Sequence, residues 1–102
     1  MSAYLVVRSV VSEPGDRTAF DAWYEGDHMP KALEILGAIE GWRFWSETDP
    51  SLHYAVYRYA SLDKLHHRND AGRRALMSEY ERTWPRVTRT REVLRMAGRT
   101  AD

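Results

Sequence analysis

The sequence predicts an α+β domain of ferredoxin-like type, β-α-β-β-α-β, with two helices over one face of a four-stranded antiparallel sheet. Three observations predict it. Four runs rich in β-branched and aromatic residues alternate with helical stretches in that order. A Thr48-Asp49-Pro50-Ser51 turn joins the second and third runs directly, as a hairpin requires. The strands carry apolar side chains on both faces, so the face without helices needs a cover of its own.

Ala3 to Ser12 (AYLVVRSVVS) form the first strand, closed by the turn pair Pro14-Gly15. Leu5, Val7 and Val11 face one way, Tyr4, Val6 and Val10 the other. Asp16 stands where an N-cap belongs, and Phe20, Trp23 and Tyr24 follow at helical spacing. Pro30 lacks an N–H and its ring crowds the preceding turn, so the helix is expected to break between Gly26 and Pro30. Ala32, Leu33, Ile35 and Leu36 resume an apolar stripe that ends at Gly37. Ile39 to Glu47 (IEGWRFWSE) and His53 to Ala60 (HYAVYRYA) make the hairpin. Ser61 can cap a short turn bearing Leu62 and Leu65. After the polar stretch His66 to Asp70, a longer helix presents Leu76, Met77, Tyr80 and Trp84 and stops at Pro85. Val87 to Met96 is the last strand, and Gly98 to Asp102 a frayed tail. No repeat or linker divides the chain, so residues 1–102 are expected to form a single domain.

Two helices cover one sheet face only. The simplest cover for the other is a second copy of the chain, giving a homodimer through the open sheet face.

Composition excludes several functions. Fifteen Lys plus Arg balance fifteen Asp plus Glu, so no net field draws the chain to nucleic acid or to an anionic membrane. The arginines of Arg73-Arg74 and Arg86 to Arg95 have acidic neighbours, Glu79, Glu81 and Glu92, and are expected to form a solvated, salt-bridged surface. With no cysteine there is no disulfide or thiolate site, which fits a reducing compartment. No signal peptide or membrane span is visible, and the protein is expected in the cytoplasm. Glu25 and His28 have the i, i+3 spacing of carboxylate-bridged metal sites, but only one copy of that motif exists, so no metal is expected.

The segment Phe20 to Trp45 (FDAWYEGDHMPKALEILGAIEGWRFW), followed by Tyr54-Ala55-Val56-Tyr57, resembles the EthD-like branch of the dimeric α+β barrel superfamily. That branch has an aromatic pair on the first helix, then an acidic residue, His and Pro, then a Gly-containing turn and a basic-aromatic pair on a strand. Trp23-Tyr24, Asp27-His28, Pro30, Gly37 and Arg43-Phe44 hold those places here. Met29, between His28 and Pro30, stands where an aliphatic residue is more usual, and Leu36-Gly37 where Pro-Gly is common. Similar proteins include small monooxygenases, isomerases and polyketide cyclases that work without metal or prosthetic group, and some relatives handle haem. For haem, His28 is the one residue suited as axial ligand, and no cofactor is expected.

His28 is the residue expected to carry chemistry. Its ordinary pKa lets it give or take a proton near neutral pH. The resemblance implies that it faces a pocket between helices and sheet. Tyr24, four residues earlier, shares its face if the helix persists that far, and is expected to orient a substrate or hold a developing oxyanion. Trp23, Trp42, Phe44, Trp45, Tyr57 and Arg43 are candidate substrate contacts. Strand alternation sets Trp42 and Phe44 on one face and Arg43 and Trp45 on the other, so one of these pairs alone can line a pocket. Three readings follow. One is a cofactor-independent isomerase, cyclase or monooxygenase acting on an apolar or aromatic, oxygenated substrate with His28 as general acid/base. The second is a non-catalytic binding or accessory protein for a hydrophobic metabolite. The third is a purely structural dimer of this fold with no pocket.

Overall fold

In the computed structural model, which describes residues 1–101, four strands form one antiparallel sheet in the order β2-β3-β1-β4. They are β1 Ala3–Val10, β2 Glu40–Trp45, β3 Leu52–Tyr59 and β4 Thr88–Arg95. The helices are α1 Arg17–Trp23, α2 Met29–Leu36, α3 Leu62–His66 and α4 Asp70–Thr83. Asp102, the end of the tail expected to fray, lies outside the described residues.

The most β-branched run takes the centre. β1 pairs along its whole length with β3 on one side and β4 on the other, with Ala3 opposite Tyr59 and Arg95 and Val10 opposite Leu52 and Thr88. This register fixes the faces. Ala3, Leu5, Val7 and Ser9, with Ala55, Tyr57 and Tyr59 of β3, are buried under the helices. Tyr4, Val6, Val10, Tyr54 and Val56 point the other way and are only half-buried. The molecule measures 39 × 38 × 21 Å, the thickness of one helix layer on one sheet.

The expected helix break is instead a widened turn. Residues Tyr24–His28 form a π turn, in which the Met29 N–H donates to the Tyr24 carbonyl five residues back. Tyr24, His28 and Met29 all keep right-handed helical dihedrals. Pro30 cannot donate to the Gly26 carbonyl and its ring needs space there. One extra residue in the turn supplies that space without ending the helix.

The other termini follow local chemistry. Gly37 ends α2 with φ 76°, a left-handed conformation that suits glycine, and its N–H donates to the Leu33 carbonyl at 3.1 Å. Ser61 Oγ accepts the Lys64 N–H at 3.1 Å to start α3, and Asn69 Oδ1 accepts the Gly72 N–H at 2.9 Å to start α4. Asp16 precedes α1 as expected but makes no side-chain cap, because Arg86 holds its carboxylate at 3.0 Å. Where a Cβ on Gly72 would stand, Ile35 already packs, which lets α2 and α4 meet closely.

Phe20 is the hub of the core. Its ring lies 5.2–6.1 Å from the rings of Trp23, Tyr24, Trp45, His53, Tyr80 and Trp84, spacings at which aromatic pairs attract. Tyr80 fastens α4 to the central strand through a 2.7 Å hydrogen bond between its hydroxyl and Ser9 Oγ.

Candidate functional site

The π turn decides where His28 points. A turn with one extra residue brings side chains five apart into line, and the His28 ring stacks on Trp23 at 4.5 Å with 19° between planes. Tyr24 meets the same ring edge-on at 4.9 Å, and Tyr80 reaches it from α4 at 5.7 Å. His28 is 6% exposed, and its Nδ1 is buried with no protein group within hydrogen-bonding reach. Burial first, and then the charge of Arg89, push its pKa down to about 4. The imidazole is therefore neutral at pH 7.

His28 lines a narrow cleft between the helices and the sheet, with a cavity volume of about 40 Å³ and part of it open to solvent. Leu5 and Val7 of β1 contribute its floor, and Leu36 of α2 and Leu76 of α4 its apolar roof. Tyr24 and Tyr57 are both in its wall, and the Tyr57 hydroxyl donates to the Tyr24 hydroxyl at 3.4 Å. Burial raises Tyr24 well above its ordinary pKa and lifts Tyr57 to about 12, so both phenols keep their protons. With its oxygen accepting from Tyr57, Tyr24 has its own O–H to offer to another acceptor.

Among the residues singled out from the sequence, His28, Tyr24 and Tyr57 line this cleft. Trp23 stands behind His28 as its stacking partner. Arg43 and Trp45 share the helix-covered face but sit towards its other edge. There Arg43 donates to Asp21 Oδ1 at 2.9 Å and to Glu25 Oε1 at 2.7 Å, and Trp45 Nε1 donates to the same Asp21 oxygen at 2.7 Å. Trp42 and Phe44 lie on the opposite face of the sheet, Trp42 beside Tyr4 at 6.5 Å and Phe44 54% exposed. None of these last four lines the cleft. Strand alternation removes two, and an ion-pair network occupies the others.

Four arginines that sequence reasoning did not place in the site do line it: Arg68, and Arg73, Arg89 and Arg91, which were expected on a solvated surface. Arg89 is 13% exposed and lies 4.0 Å above the Tyr80 ring, a cation–π contact. The signal that could have found two of them is the period of β4. Arg89 and Arg91 are two apart and opposite Ser9 and Val7, whose side chains face the helices. His53 was also missed. It is fully buried between Phe20, Tyr24 and Trp45, with Arg43 Nη1 at 3.3 Å from its Nε2.

Among the described residues no group of three or more His, Cys, Asp or Glu side chains is placed to hold a metal ion, and no helix is long and apolar enough to cross a membrane.

Solved structures share this architecture. An EthD family protein from Bacillus halodurans superposes with a TM-score of 0.72 at 19% identity, over 94% of this chain and 99% of that one. SnoaB from Streptomyces nogalater, a cofactor-independent oxygenase, superposes with a TM-score of 0.75 at 7% identity, over 99% of this chain and 98% of that one. The chain shares their ferredoxin-like α+β fold. A NIPSNAP family protein from Agrobacterium tumefaciens matches as well, with a TM-score of 0.65 at 18% identity over 90% of this chain and 83% of that one. At these identities the likeness is one of fold, and fold does not choose a reaction. No protein-family profile matches the sequence, and no curated protein matches it.

Proposed function

We propose that the cleft is the active site of a small-molecule enzyme that needs no cofactor and starts its reaction by proton transfer. The carrying observation is a neutral, buried imidazole beside a phenol that stays protonated, both lining one cleft. His28 takes a proton from the carbon next to a carbonyl, or from a hydroxyl conjugated with it through a double bond, in an apolar or aromatic, oxygenated substrate. The electron pair left behind moves onto the carbonyl oxygen, and the Tyr24 O–H donates to that oxyanion. Isomerisation, cyclisation and oxygenation can all begin this way. The description of SnoaB as a cofactor-independent oxygenase supports the choice of chemistry. Trp23 holds the imidazole plane by stacking, and Tyr57 holds the Tyr24 hydroxyl.

One observation favours a second function. A histidine whose conjugate acid has a pKa of about 4 is a weak base at pH 7, which suits a binding protein in which His28 only makes a hydrogen bond. Deuterium exchange at the α-carbon of 2-tetralone, followed by NMR in D₂O, separates the two. Catalysis predicts faster exchange with the protein and a loss of roughly 10²-fold or more in His28→Ala, within the usual range for a general base. Exchange no faster than in buffer would leave the binding function.

The open sheet face is proposed as the homodimer contact. Trp42, Phe44 and Leu94 stand on it, the last two 54% and 43% exposed, and the dimeric proteins of this fold support the assignment. Sedimentation at micromolar concentration should return the mass of two chains; the mass of one would remove it.

A further inference from the structure

Among the described residues, the walls of the cleft carry four arginines and no Asp or Glu. The whole chain is balanced at fifteen basic and fifteen acidic residues, so this is a local concentration of charge and not a generally basic surface. The arginines arrive from separate places: Arg68 from just after α3, Arg73 from α4, Arg89 and Arg91 from neighbouring same-face positions of the edge strand.

Outside the cleft, Arg43, Arg58, Arg74 and Arg86 each sit within 3.4 Å of a carboxylate oxygen, while Arg8, Arg17, Arg82, Arg95 and Arg99 form no carboxylate pair among the described residues. What marks the cleft arginines is their convergence, and for Arg68 and Arg89 a buried nitrogen without a partner. In the cleft, Arg73 alone sits close to a carboxylate, 2.8 Å from the exposed Asp70. Arg89 has only Glu81, 3.8 Å away and beyond hydrogen-bonding distance, and its Nη2 is buried without a partner. Arg68 spends Nη1 on the Leu65 carbonyl, and its Nε is buried without a partner. Arg91 forms no carboxylate pair among the described residues. Glu92, its sequence neighbour, projects from the other face of the sheet. The crowding registers on Arg91, whose guanidinium is pushed below its ordinary range by partial desolvation and then by the charges of Arg89, Arg73 and Arg68.

We propose that this cleft binds a planar organic carboxylate, with its anionic group held by Arg89 and Arg91, Arg68 and Arg73 adding to the field, and its apolar body against Leu5, Val7 and Leu76. This deepens the proposed function and rests on its claim that the cleft is a ligand site. Guanidinium planes match a carboxylate with paired hydrogen bonds, and the apolar stretch of wall at Leu5, Val7, Leu36 and Leu76 suits a flat hydrocarbon body better than a hydrated polyanion. The carboxylate also acts on the base. Arg89 is the largest charged influence holding His28 down, so a bound anion beside Arg89 offsets it and lets the imidazole accept a proton more readily. The ligand thereby prepares the group that deprotonates it.

Calorimetric titration of the full chain with 2-naphthoate and with the neutral 2-naphthalenemethanol tests this, with inorganic phosphate as competitor. The acid should bind at least ~10-fold more tightly than the alcohol, and Arg89→Met/Arg91→Met should erase most of that gap while leaving the alcohol unchanged. Arg91→Met alone, on the exposed edge strand, gives the same direction should the double variant fold poorly. Equal affinity for acid and alcohol overturns the proposal, as do indifference of the acid to both substitutions and no binding of the acid at millimolar concentration. Displacement by equimolar phosphate overturns the choice of carboxylate. The 2-tetralone exchange reports separately. Acid-selective binding without exchange leaves the anion site standing and removes proton transfer, whereas exchange without acid preference does the reverse.

Discussion

At the β2 edge of the helix-covered face, His53 is fully buried against Arg43, and Arg43 donates in turn to Asp21 and Glu25. Towards the β4 edge, His28 is nearly as buried and feels Arg89, which has no carboxylate within hydrogen-bonding distance. The residue types are the same: a histidine, an arginine and aromatic rings around both. The difference is whether the protein supplies the counter-charge itself. In the first neighbourhood the cation is neutralised and the packing closed, so the group is structural. In the second Arg73 has a close carboxylate, but Arg68, Arg89 and Arg91 have none within hydrogen-bonding distance among the described residues. The cleft therefore keeps an excess of positive charge that an anion from outside the chain can balance.

The largest effect that tests this contrast is on acid stability. Both imidazoles stand at about 4 in the folded protein against an ordinary 6.5, His28 through burial and Arg89, His53 through burial and Arg43. As pH falls below about 6.5 the unfolded chain takes up these protons first. Stability from each neutral histidine is thus complete above that pH and lost as pH falls towards 4, on the order of 3 kcal/mol apiece. Urea denaturation at pH 7 and pH 4.5 measures the loss. The contrast sharpens with 2-naphthoate present. The NMR titration of His28 should then move to higher pH while that of His53 stays in place, and an equal movement of both would break the distinction.

A smaller effect comes from the closed neighbourhood. Arg43→Met keeps the aliphatic stem but removes the donors to Asp21, Glu25 and His53 Nε2. Asp21 and Glu25 are 45% and 73% exposed, so solvent screens both pairs, and Asp21 retains its bond from Trp45. The expected cost is about 1–2 kcal/mol in a chemical denaturation midpoint, most of it from the buried histidine nitrogen left without its donor. No change at all would mean that this network is not what closes the β2 edge.

The order of elements was legible because its signals are local. The Thr48 to Ser51 turn, the cap at Ser61, the left-handed Gly37 and the stop at Pro85 each act within a few residues. The π turn was not. The steric demand of Pro30 is met equally by a break or by a wider turn, and the choice rests on His28 packing against Trp23 and against Tyr80, fifty-two positions along the chain. The arginine-lined cleft was half legible. Two-residue alternation in β4 puts Arg89 and Arg91 on one face, but Arg68 and Arg73 join them only through the docking of α3 and α4. The acids expected to neutralise them are engaged or misplaced. Glu79 holds Lys31 at 3.4 Å, Glu81 falls short of Arg89, and Glu92 is behind the sheet.

The smallest effect is the most discriminating. Removing a buried, paired arginine should destabilise, as at Arg43, but removing one from a cluster of like charges should not. Arg91→Met takes away no carboxylate pair, leaves Arg68, Arg73 and Arg89 with less mutual repulsion, and places a flexible apolar side chain beside Val7. The denaturation midpoint in ligand-free buffer should stay level or rise, by no more than about 0.5 kcal/mol. With saturating 2-naphthoate the sign should reverse, because wild type gains binding free energy that the variant has lost. A variant that is already destabilised without ligand would show that Arg91 supports the fold, and the two arginine neighbourhoods would then differ in position and not in purpose.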